Sequence, residues 1–216
     1  MSDSYWENIH KEKYDGQDWT ERPSIFAEEI IRFLPKLGTV LELGTGQGQD
    51  SIYFRSRGYS VISTDREVGI IERADSNAHE FLGGSYGAMR FQLLDLSREF
   101  NLRDTSIDIA YAHLSLHYFD TQTTEQIFAE IYRVLKPGGI LAFLVNSVND
   151  PEYNTGTKLE ADYFETEGTT KRYFSADTAR AFAKDFEVIL CDEKGETYKD
   201  QAKGVHNLIR FVGRKV

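Results

Sequence analysis

The stretch Val40-Leu41-Glu42-Leu43-Gly44-Thr45-Gly46-Gln47-Gly48 decides how the rest of this sequence is interpreted. Its apolar start is typical of a buried parallel strand, and residues 49–54, directly after it, predict a helix. Glycines occupy alternate positions between the two, and glycine allows positive φ and has no side chain to hold a ligand away. A strand, a glycine turn and a helix in this order bring backbone N–H groups up to a ligand. The alternative is a tight turn that binds nothing.

Strands alternate with helices on both sides of this stretch. Apolar runs bounded by turn residues predict five strands, at 39–43, 60–64, 89–94, 106–112 and 140–145. Apolar residues at helical spacing predict helices at 24–34, with Ser24 as the N-cap, and at 47–57 and 67–81. Thr123 and Gln126 fit a capping box for a further helix, which Lys136-Pro137-Gly138-Gly139 should end.

The C-terminal part of the chain predicts one more helix and two more strands. Ser175 is a candidate N-cap for a helix that reaches Lys184. Apolar runs at 186–190 and 208–212 predict strands. Their connection is polar and needs no helix, so we expect an antiparallel pair that closes the sheet.

These elements predict an α/β fold, with a doubly wound, mostly parallel seven-stranded sheet and an antiparallel C-terminal strand. We expect one domain over residues 1–216. Ligands of such sheets bind at the carboxyl ends of the strands, and the chain places polar residues there: Glu42 with the glycine turn, Asp65, Asp95, His113 and Asn146. Residues 148–174 are long for a structureless loop and predict an insertion on the substrate side.

Composition and charge argue against several classes of protein. Hydrophobic residues make up 40% of the chain, which favours a globular fold over a disordered one, and the formal net charge of −10 disfavours direct binding to DNA or RNA. We expect no membrane span, because no run approaches about 20 apolar residues, and no signal peptide in the polar residues 1–18. The single cysteine, Cys191, suits a core position and the reducing cytoplasm. We expect a monomer or a homodimer.

Four motifs give this sequence a resemblance to a known family. They are the stretch from Leu41 to Gly48, the acid Asp65, the run Leu94-Asp95-Leu96 and the run Val134-Leu135-Lys136-Pro137-Gly138-Gly139. With them the chain resembles the class I S-adenosylmethionine-dependent methyltransferases. Arg22-Pro23-Ser24 and residues 113–119 are also similar to the branch that contains tellurite-resistance and thiopurine methyltransferases. The resemblance implies S-adenosylmethionine as cofactor, S-adenosylhomocysteine as product and a small-molecule acceptor.

The resemblance also implies a role for individual residues. Asp65 would accept hydrogen bonds from both ribose hydroxyls, with Arg66 beside the adenine face. Asp95 would accept from the adenine amine, and the Leu96 N–H would meet a ring nitrogen. Glu42 would orient the methionine amine through water, and the His113 backbone would contact the same end of the cofactor. The backbone of the turn, at Gly44, Thr45, Gly46 and Gly48, would approach the methionine and the ribose.

The residues after the fourth predicted strand are candidates for catalysis. A methyl acceptor needs a general base only if it arrives protonated, as a hydroxyl or an ammonium does. His113 and His117 are the candidate bases, and the alternative is that either is a hydrogen-bonded structural residue. Tyr118, Tyr153 and Tyr173 are candidates to line an acceptor pocket. No cluster has the spacing of a metal site.

The N-terminal arm, residues 1–21, is too rich in aromatic residues for a solvated tail. One interpretation is a lid over the ligand, in which Tyr14, Trp19 and Arg22 reach the open end of the sheet and Arg22 pairs with the methionine carboxylate. The other is an arm that only packs on the surface.

Two other functions compete with methyl transfer. A nicotinamide-dependent oxidoreductase would also use Asp65 on a ribose, but its fingerprint is G-x-G-x-x-G, and the last gap is one residue shorter here. A non-catalytic S-adenosylmethionine-binding module is the second alternative.

Overall fold

A computed structural model describes residues 22–166, 168–197 and 204–216 of the chain. Its strands are β1 (Thr39–Leu43), β2 (Ser60–Asp65), β3 (Met89–Leu93), β4 (Ile107–His113), β5 (Leu135–Val145), β6 (Thr157–Glu160), β7 (Tyr163–Thr166), β8 (Thr169–Arg172), β9 (Phe186–Gly195) and β10 (Leu208–Lys215). Its α-helices are α1 (Ile25–Ile30), α2 (Gln49–Ser56), α3 (Val68–Leu82), α4 (Thr121–Val134) and α5 (Ala176–Phe182), and 3-10 turns follow α1 and α3.

Seven strands form one sheet in the order β3-β2-β1-β4-β5-β10-β9. The strand that leads into the glycine turn, β1, is an inner strand of this sheet, where Val40 is opposite Val61 of β2 and Ile109 of β4 in parallel register. β10 runs antiparallel to both of its neighbours, β5 and β9. The predicted mostly parallel, seven-stranded sheet with an antiparallel C-terminal strand is therefore confirmed.

Helices cover both faces of the sheet, because successive side chains of a strand point to opposite faces. Val40 of β1 lies in the cluster formed with α1, α2 and α3, whereas its neighbour Leu41 lies in the cluster formed with α4 and α5. Strands buried on both sides read as continuous apolar runs. This is the pattern that predicted the sheet.

In the parts of the chain that are described, no helix combines the length and the apolar character that crossing a membrane requires.

Several element boundaries differ from the prediction, and β9 and β10 run on to Gly195 and Lys215. The first α-helix ends at Ile30, and a 3-10 turn takes its place up to Phe33, because Pro35 forces Leu34 out of the helical region to ψ 152°. β5 begins at Leu135 instead of residue 140, since Leu135 already pairs with Ile107 and an irregularity in the register takes up the residues between.

The predicted N-cap at Thr123 is wrong. The fourth helix begins at Thr121, and its N-cap is Asp120, whose Oδ1 accepts a hydrogen bond from the Thr123 N–H at 2.7 Å. Thr123 is thus the third residue of the helix. Sequence spacing favoured a box of Thr and Gln, but a carboxylate at the N-cap also interacts favourably with the helix dipole.

The segment predicted as an insertion, 148–174, contains a second sheet. β6, β7 and β8 form a three-stranded antiparallel sheet, in which Tyr163 pairs with Arg172. The segment joins the main sheet after β5, where the Phe174 N–H donates to the Asn146 carbonyl at 2.8 Å. We call β6 to β8 the small sheet.

The corrected N-cap can be tested by two alanine substitutions on the same helix. Asp120→Ala removes the acceptor of the Thr123 N–H, so we expect the free energy of unfolding to fall by about 0.5–2 kcal/mol. Thr123→Ala, the matched control, leaves that bond in place and should change stability by less than about 0.5 kcal/mol. Denaturant unfolding of both variants measures the difference. A larger loss for Thr123→Ala would restore the original prediction.

Candidate functional site

The turn after β1 folds back because its glycines adopt positive φ, at 82° for Gly44, 53° for Gly46 and 84° for Gly48. The N–H groups of Gly44 and Thr45 both donate to the Thr64 carbonyl of β2, at 2.9 and 2.8 Å. A Cβ on Gly44 would lie 2.5 Å from the Cβ of Ser115. The turn is therefore closed between β2 and the segment that follows β4, and only glycine fits its first position.

Asp65, the last residue of β2, lies against this turn. Its Oδ2 is 3.4 Å from the Gly46 nitrogen, which donates to it, and its Oδ1 accepts from the Glu67 N–H at 3.3 Å. Burial raises the pKa of Asp65 above its usual value, although these backbone hydrogen bonds act in the opposite direction. The structure thus brings together the glycine turn and the acid predicted to serve the ribose.

Glu42 is buried beneath the turn, with 2% of its surface exposed. Its Oε2 accepts a hydrogen bond from the Thr45 hydroxyl at 2.8 Å and another from the Ser51 hydroxyl. Burial and the nearby charge of Asp50 raise its pKa from 4.5 to about 8, against the opposite effect of these hydroxyls. Because desolvation by burial is the largest of these effects, the Glu42 carboxyl is mostly neutral at pH 7.

Asp50 is a second buried acid at the site, and sequence analysis missed it. One oxygen accepts from the Ser24 N–H at 2.6 Å, and the other accepts from the hydroxyls of Ser24 at 2.7 Å and Tyr111 at 2.6 Å. These bonds join the start of α1 and strand β4 to the first turn of α2. Its position, two residues after the last glycine, was the signal that could have found it.

The end of β3 lies beside the end of β2. The Leu94 N–H donates to the Asp65 carbonyl at 2.9 Å, which brings Asp95 next to Asp65 at the same edge. Asp95 is partly buried, which raises its pKa, but hydrogen bonds from the Ser97 N–H and hydroxyl and the charge of Arg98 lower the pKa below its usual value overall. Asp95 is therefore a charged acceptor at pH 7.

The two residues that flank these acids differ in exposure. Leu96 is partly buried and packs against the core on the α4 side of the sheet. Arg66 is exposed and pairs with Glu67, with 2.9 Å between Nε and Oε1. Surface ion pairs of this kind hold a side chain weakly.

The segment after β4 starts with a strained residue. Leu114 has a φ of 56°, which a side chain with a Cβ rarely adopts. Its N–H donates to the Leu144 carbonyl at 2.9 Å, and the Ser115 hydroxyl donates to the Leu43 carbonyl. Just before it, His113 has a buried Nε2 that lacks a hydrogen-bond partner among the described residues. Strain of this kind persists only where surrounding contacts hold it.

His117 lies deeper than the sequence suggested, with 2% of its surface exposed. Burial lowers its pKa to about 3, and the charge of Lys171 and the proximity of His113 act in the same direction. Burial also lowers the pKa of His113. Within the described residues, Nδ1 of His117 has no hydrogen-bond partner. Both histidines are therefore neutral at pH 7, and His117 is a weak base.

The structure brings two of the three candidate acceptor tyrosines together. Tyr153 and Tyr173 pack edge-to-face, with ring centroids 5.5 Å apart, and the Tyr153 hydroxyl donates to Asp162 at 2.7 Å. Tyr118 packs instead beside His117, with 4.3 Å between the ring centroids.

The N-terminal arm, residues 1–21, lies outside the described residues, so the predicted roles of Tyr14 and Trp19 stay predictions. Arg22 is exposed, two residues before Ser24, which Asp50 holds beside the first turn of α2.

Comparison with known proteins finds similarity to methyltransferases. Residues 41–143 match the sequence profile of the methyltransferase domain family. Phosphoethanolamine N-methyltransferase 1 of Triticum aestivum is 30% identical over 63% of this chain and 28% of its own length. Glycine/sarcosine N-methyltransferase of Parasynechococcus marenigrum (strain WH8102) is 32% identical over 57% of this chain and 44% of its own length. The chain thus spans less than half of these two relatives.

Solved structures share the fold at low sequence identity. An S-adenosylmethionine-dependent methyltransferase of Methanosarcina mazei has a TM-score of 0.72 and 21% identity, over 87% of this chain and 97% of its own. A Burkholderia thailandensis 1,6-didemethyltoxoflavin-N1-methyltransferase, solved with S-adenosylhomocysteine, has a TM-score of 0.71 and 17% identity, over 97% of this chain and 84% of its own. TehB of Haemophilus influenzae has a TM-score of 0.65 and 18% identity, over 88% of this chain and 61% of its own. The methyltransferase match covers just under half of the chain, and these solved structures show that the chain shares their fold.

Proposed function

We propose that this protein transfers a methyl group from S-adenosylmethionine to a small-molecule acceptor. The observation that carries the proposal is the glycine turn held against Asp65, with 3.4 Å between the Gly46 nitrogen and the carboxylate. A backbone with no side chains and an acid at the next strand end form a site for a ribose with its attached chain. The family match and the two N-methyltransferase relatives support the same reaction.

The described residues fit the cofactor from one end to the other. Asp65 serves the ribose hydroxyls, as an acceptor with two oxygens at the mouth of the turn. Glu42 orients the methionine amine through water, and the backbone of His113 contacts the same end. The backbone at Gly44, Thr45 and Gly48 approaches the methionine and the ribose. The buried Nε2 of His113, without a partner in the described part of the chain, is a further polar atom at that end.

The adenine end is formed by the neighbouring strand. Asp95 accepts from the adenine amine, the Leu96 N–H meets a ring nitrogen, and Arg66 lies beside the ring face. Leu93 is 55% exposed just before these residues, so a ring bound here covers apolar surface that water now contacts. At the opposite end, Arg22 pairs with the methionine carboxylate.

When bound, the cofactor supplies an already activated methyl group on a sulfonium, so it carries the difficult chemistry. What the chain must add is alignment of the acceptor with the methyl and the sulfur, and exclusion of water. We assign both tasks to the ring pairs Tyr118–His117 and Tyr153–Tyr173. His117, with a pKa of about 3, accepts a proton poorly at pH 7. We therefore favour a methyl acceptor that arrives deprotonated. His113 or His117 would then serve as a hydrogen-bond partner of this acceptor and not as a general base.

We propose one domain that acts in the cytoplasm as a monomer or a homodimer, on a dissolved small molecule. The charge of −10 disfavours a nucleic acid as substrate. The relatives' names indicate amines as the first acceptors to test.

Binding of the cofactor is tested by calorimetry with S-adenosylhomocysteine and, separately, NADH. We expect one S-adenosylhomocysteine per chain and no response to NADH. Asp65→Asn should weaken the binding by about 1.5–3 kcal/mol, the usual range for hydrogen bonds to a charged group. Asp177→Asn, whose side chain is 96% exposed on α5, is the matched control and should leave the affinity unchanged. Binding of NADH alone would identify an oxidoreductase instead.

Methyl transfer itself is tested by an acceptor screen that measures release of S-adenosylhomocysteine. The panel contains phosphoethanolamine, glycine, sarcosine, 1,6-didemethyltoxoflavin and simple thiols. We expect turnover with at least one acceptor and a rate that rises with pH as that acceptor loses its proton. Tight cofactor binding with no turnover across the panel would favour the non-catalytic binding module.

The raised pKa of Glu42 predicts a pH dependence of stability. The folded, cofactor-free protein keeps a proton between pH 4.5 and about 8 that the unfolded chain has lost. Its free energy of unfolding should therefore fall as pH rises through this window. Glu42→Gln removes the titration but keeps an oxygen to accept from Thr45 and Ser51. We expect the stability of this variant relative to the wild type to increase steadily from pH 5 to 8 in denaturant unfolding.

The control for this titration is Glu125→Gln, at an exposed position of α4. It should show a constant difference from the wild type across the same window. Parallel curves for Glu42→Gln as well would mean that Glu42 titrates in the folded protein as it does in the unfolded chain.

A further inference from the structure

Arg172, at the end of β8, joins the small sheet to the segment after β4. It is 4% exposed. Its Nε donates to the Phe119 carbonyl at 3.1 Å, and Nη1 donates to the Ala161 carbonyl at 3.2 Å. Nη2 donates to the Thr121 hydroxyl at 3.0 Å and to Glu160 at 2.8 Å. One guanidinium thus ties together the β4 segment, the start of α4 and the small sheet.

The backbone next to this side chain adds further bonds. The Arg172 N–H donates to the His117 carbonyl at 2.7 Å. The Thr170 hydroxyl donates to the Tyr118 carbonyl at 3.0 Å, and the Tyr163 hydroxyl approaches the same carbonyl at 3.4 Å. The carbonyls of three consecutive residues, 117 to 119, therefore all accept hydrogen bonds from residues of β7 and β8.

The other end of the same segment is fixed on the glycine turn. The Ser115 hydroxyl donates to the Leu43 carbonyl, and the absence of a side chain on Gly44 lets Ser115 approach it. Directly before Ser115 lies Leu114 at φ 56°, a conformation that costs about 1–2 kcal/mol and that neighbouring contacts must hold in place. His117 is thus positioned by contacts outside its own segment.

We propose that Arg172 is a positioning residue for the acceptor side of the site, which holds residues 117–119 and the imidazole of His117 in register with the glycine turn. The inference rests on the proposed function. A planar guanidinium suits the task because its donors point in fixed directions toward acceptors on the β4 segment, the start of α4 and the small sheet, which the ammonium of lysine cannot reach together. The proposal assigns control of acceptor geometry to the small sheet, and not to the strands that form the cofactor side.

The matched control is Arg133, at the opposite edge of the sheet. Its guanidinium also bonds two backbone carbonyls, of Leu102 and Phe100 at 2.9 Å each, and it pairs with Glu130 and Asp104. Arg133→Gln therefore removes a similar set of bonds without touching residues 113–121. The test variants are Arg172→Gln, the milder Arg172→Lys, and Thr170→Val, which removes one bond and leaves Arg172 intact.

The first measurement is amide hydrogen exchange of the full chain with S-adenosylhomocysteine in excess. We expect exchange in residues 115–121 to become at least about tenfold faster in Arg172→Gln than in Arg133→Gln, because this segment then opens locally without global unfolding. Thr170→Val should show a smaller increase confined to the same segment. Arg172→Lys should lie between Arg172→Gln and the wild type.

The second measurement is the proton NMR titration of the ring C2 proton of His117, assigned with His117→Gln. The chain has five histidines, so the signals can be separated. In the wild type, burial together with Lys171 and His113 keeps this ring neutral, and we expect no titration between pH 5 and 8. In Arg172→Gln the ring should become accessible and titrate in that window. Arg133→Gln should stay silent there.

The third measurement separates positioning from cofactor binding. Calorimetry should give an affinity for S-adenosylhomocysteine within about threefold of the wild type for Arg172→Lys, whereas kcat/KM for an acceptor from the screen should fall by about tenfold or more, as expected of a displaced reacting group. Equal exchange in the Arg172 and Arg133 variants, with a silent His117, would overturn the inference. Failure of the wild type to bind S-adenosylhomocysteine would overturn the proposed function alone, since exchange and titration still decide the role of Arg172.

Discussion

The close approach of the backbone at Gly44 to Ser115 is the constraint on which the site depends. A Cβ at that position would lie 2.5 Å from the Cβ of Ser115, so a side chain would separate the central strand from the segment after β4. Without one, the turn reaches β2, where the Thr64 carbonyl accepts from two successive N–H groups, and it holds the Gly46 N–H toward Asp65. Three strand ends are thereby joined around one piece of bare backbone.

Two buried acids, Glu42 and Asp50, lie beneath this turn. Glu42 and Asp50 are both 2% exposed, and their hydrogen bonds come from hydroxyls and backbone instead of from basic side chains. Burial, and after it the nearby charge of Asp50, raises the pKa of Glu42. Buried groups with a shifted pKa are enriched at functional sites, so this carboxyl supports the proposed cofactor site.

The two sides of the site have different origins in the chain. The profile of the methyltransferase domain family covers residues 41–143, which contain the glycine turn, Asp65, Asp95 and His113. The small sheet and Arg172 lie beyond that range. The family match therefore supports the proposed cofactor site, whereas Arg172 and the small sheet, which we propose to hold the acceptor side, lie outside the matched residues.

The sequence by itself determined the seven-stranded fold, the glycine turn and the acids at the strand ends, because apolar runs and glycines act locally along the chain. It missed Asp120 as a helix cap, because two caps fitted the same spacing. It did not find Asp50 or Arg172, whose partners are far away in sequence: Asp50 bonds Tyr111, and Arg172 bonds Phe119. The burial of His117 likewise depends on the small sheet that packs over it. Only the tertiary structure decided these contacts, because burial and hydrogen bonding are set by which distant segments meet.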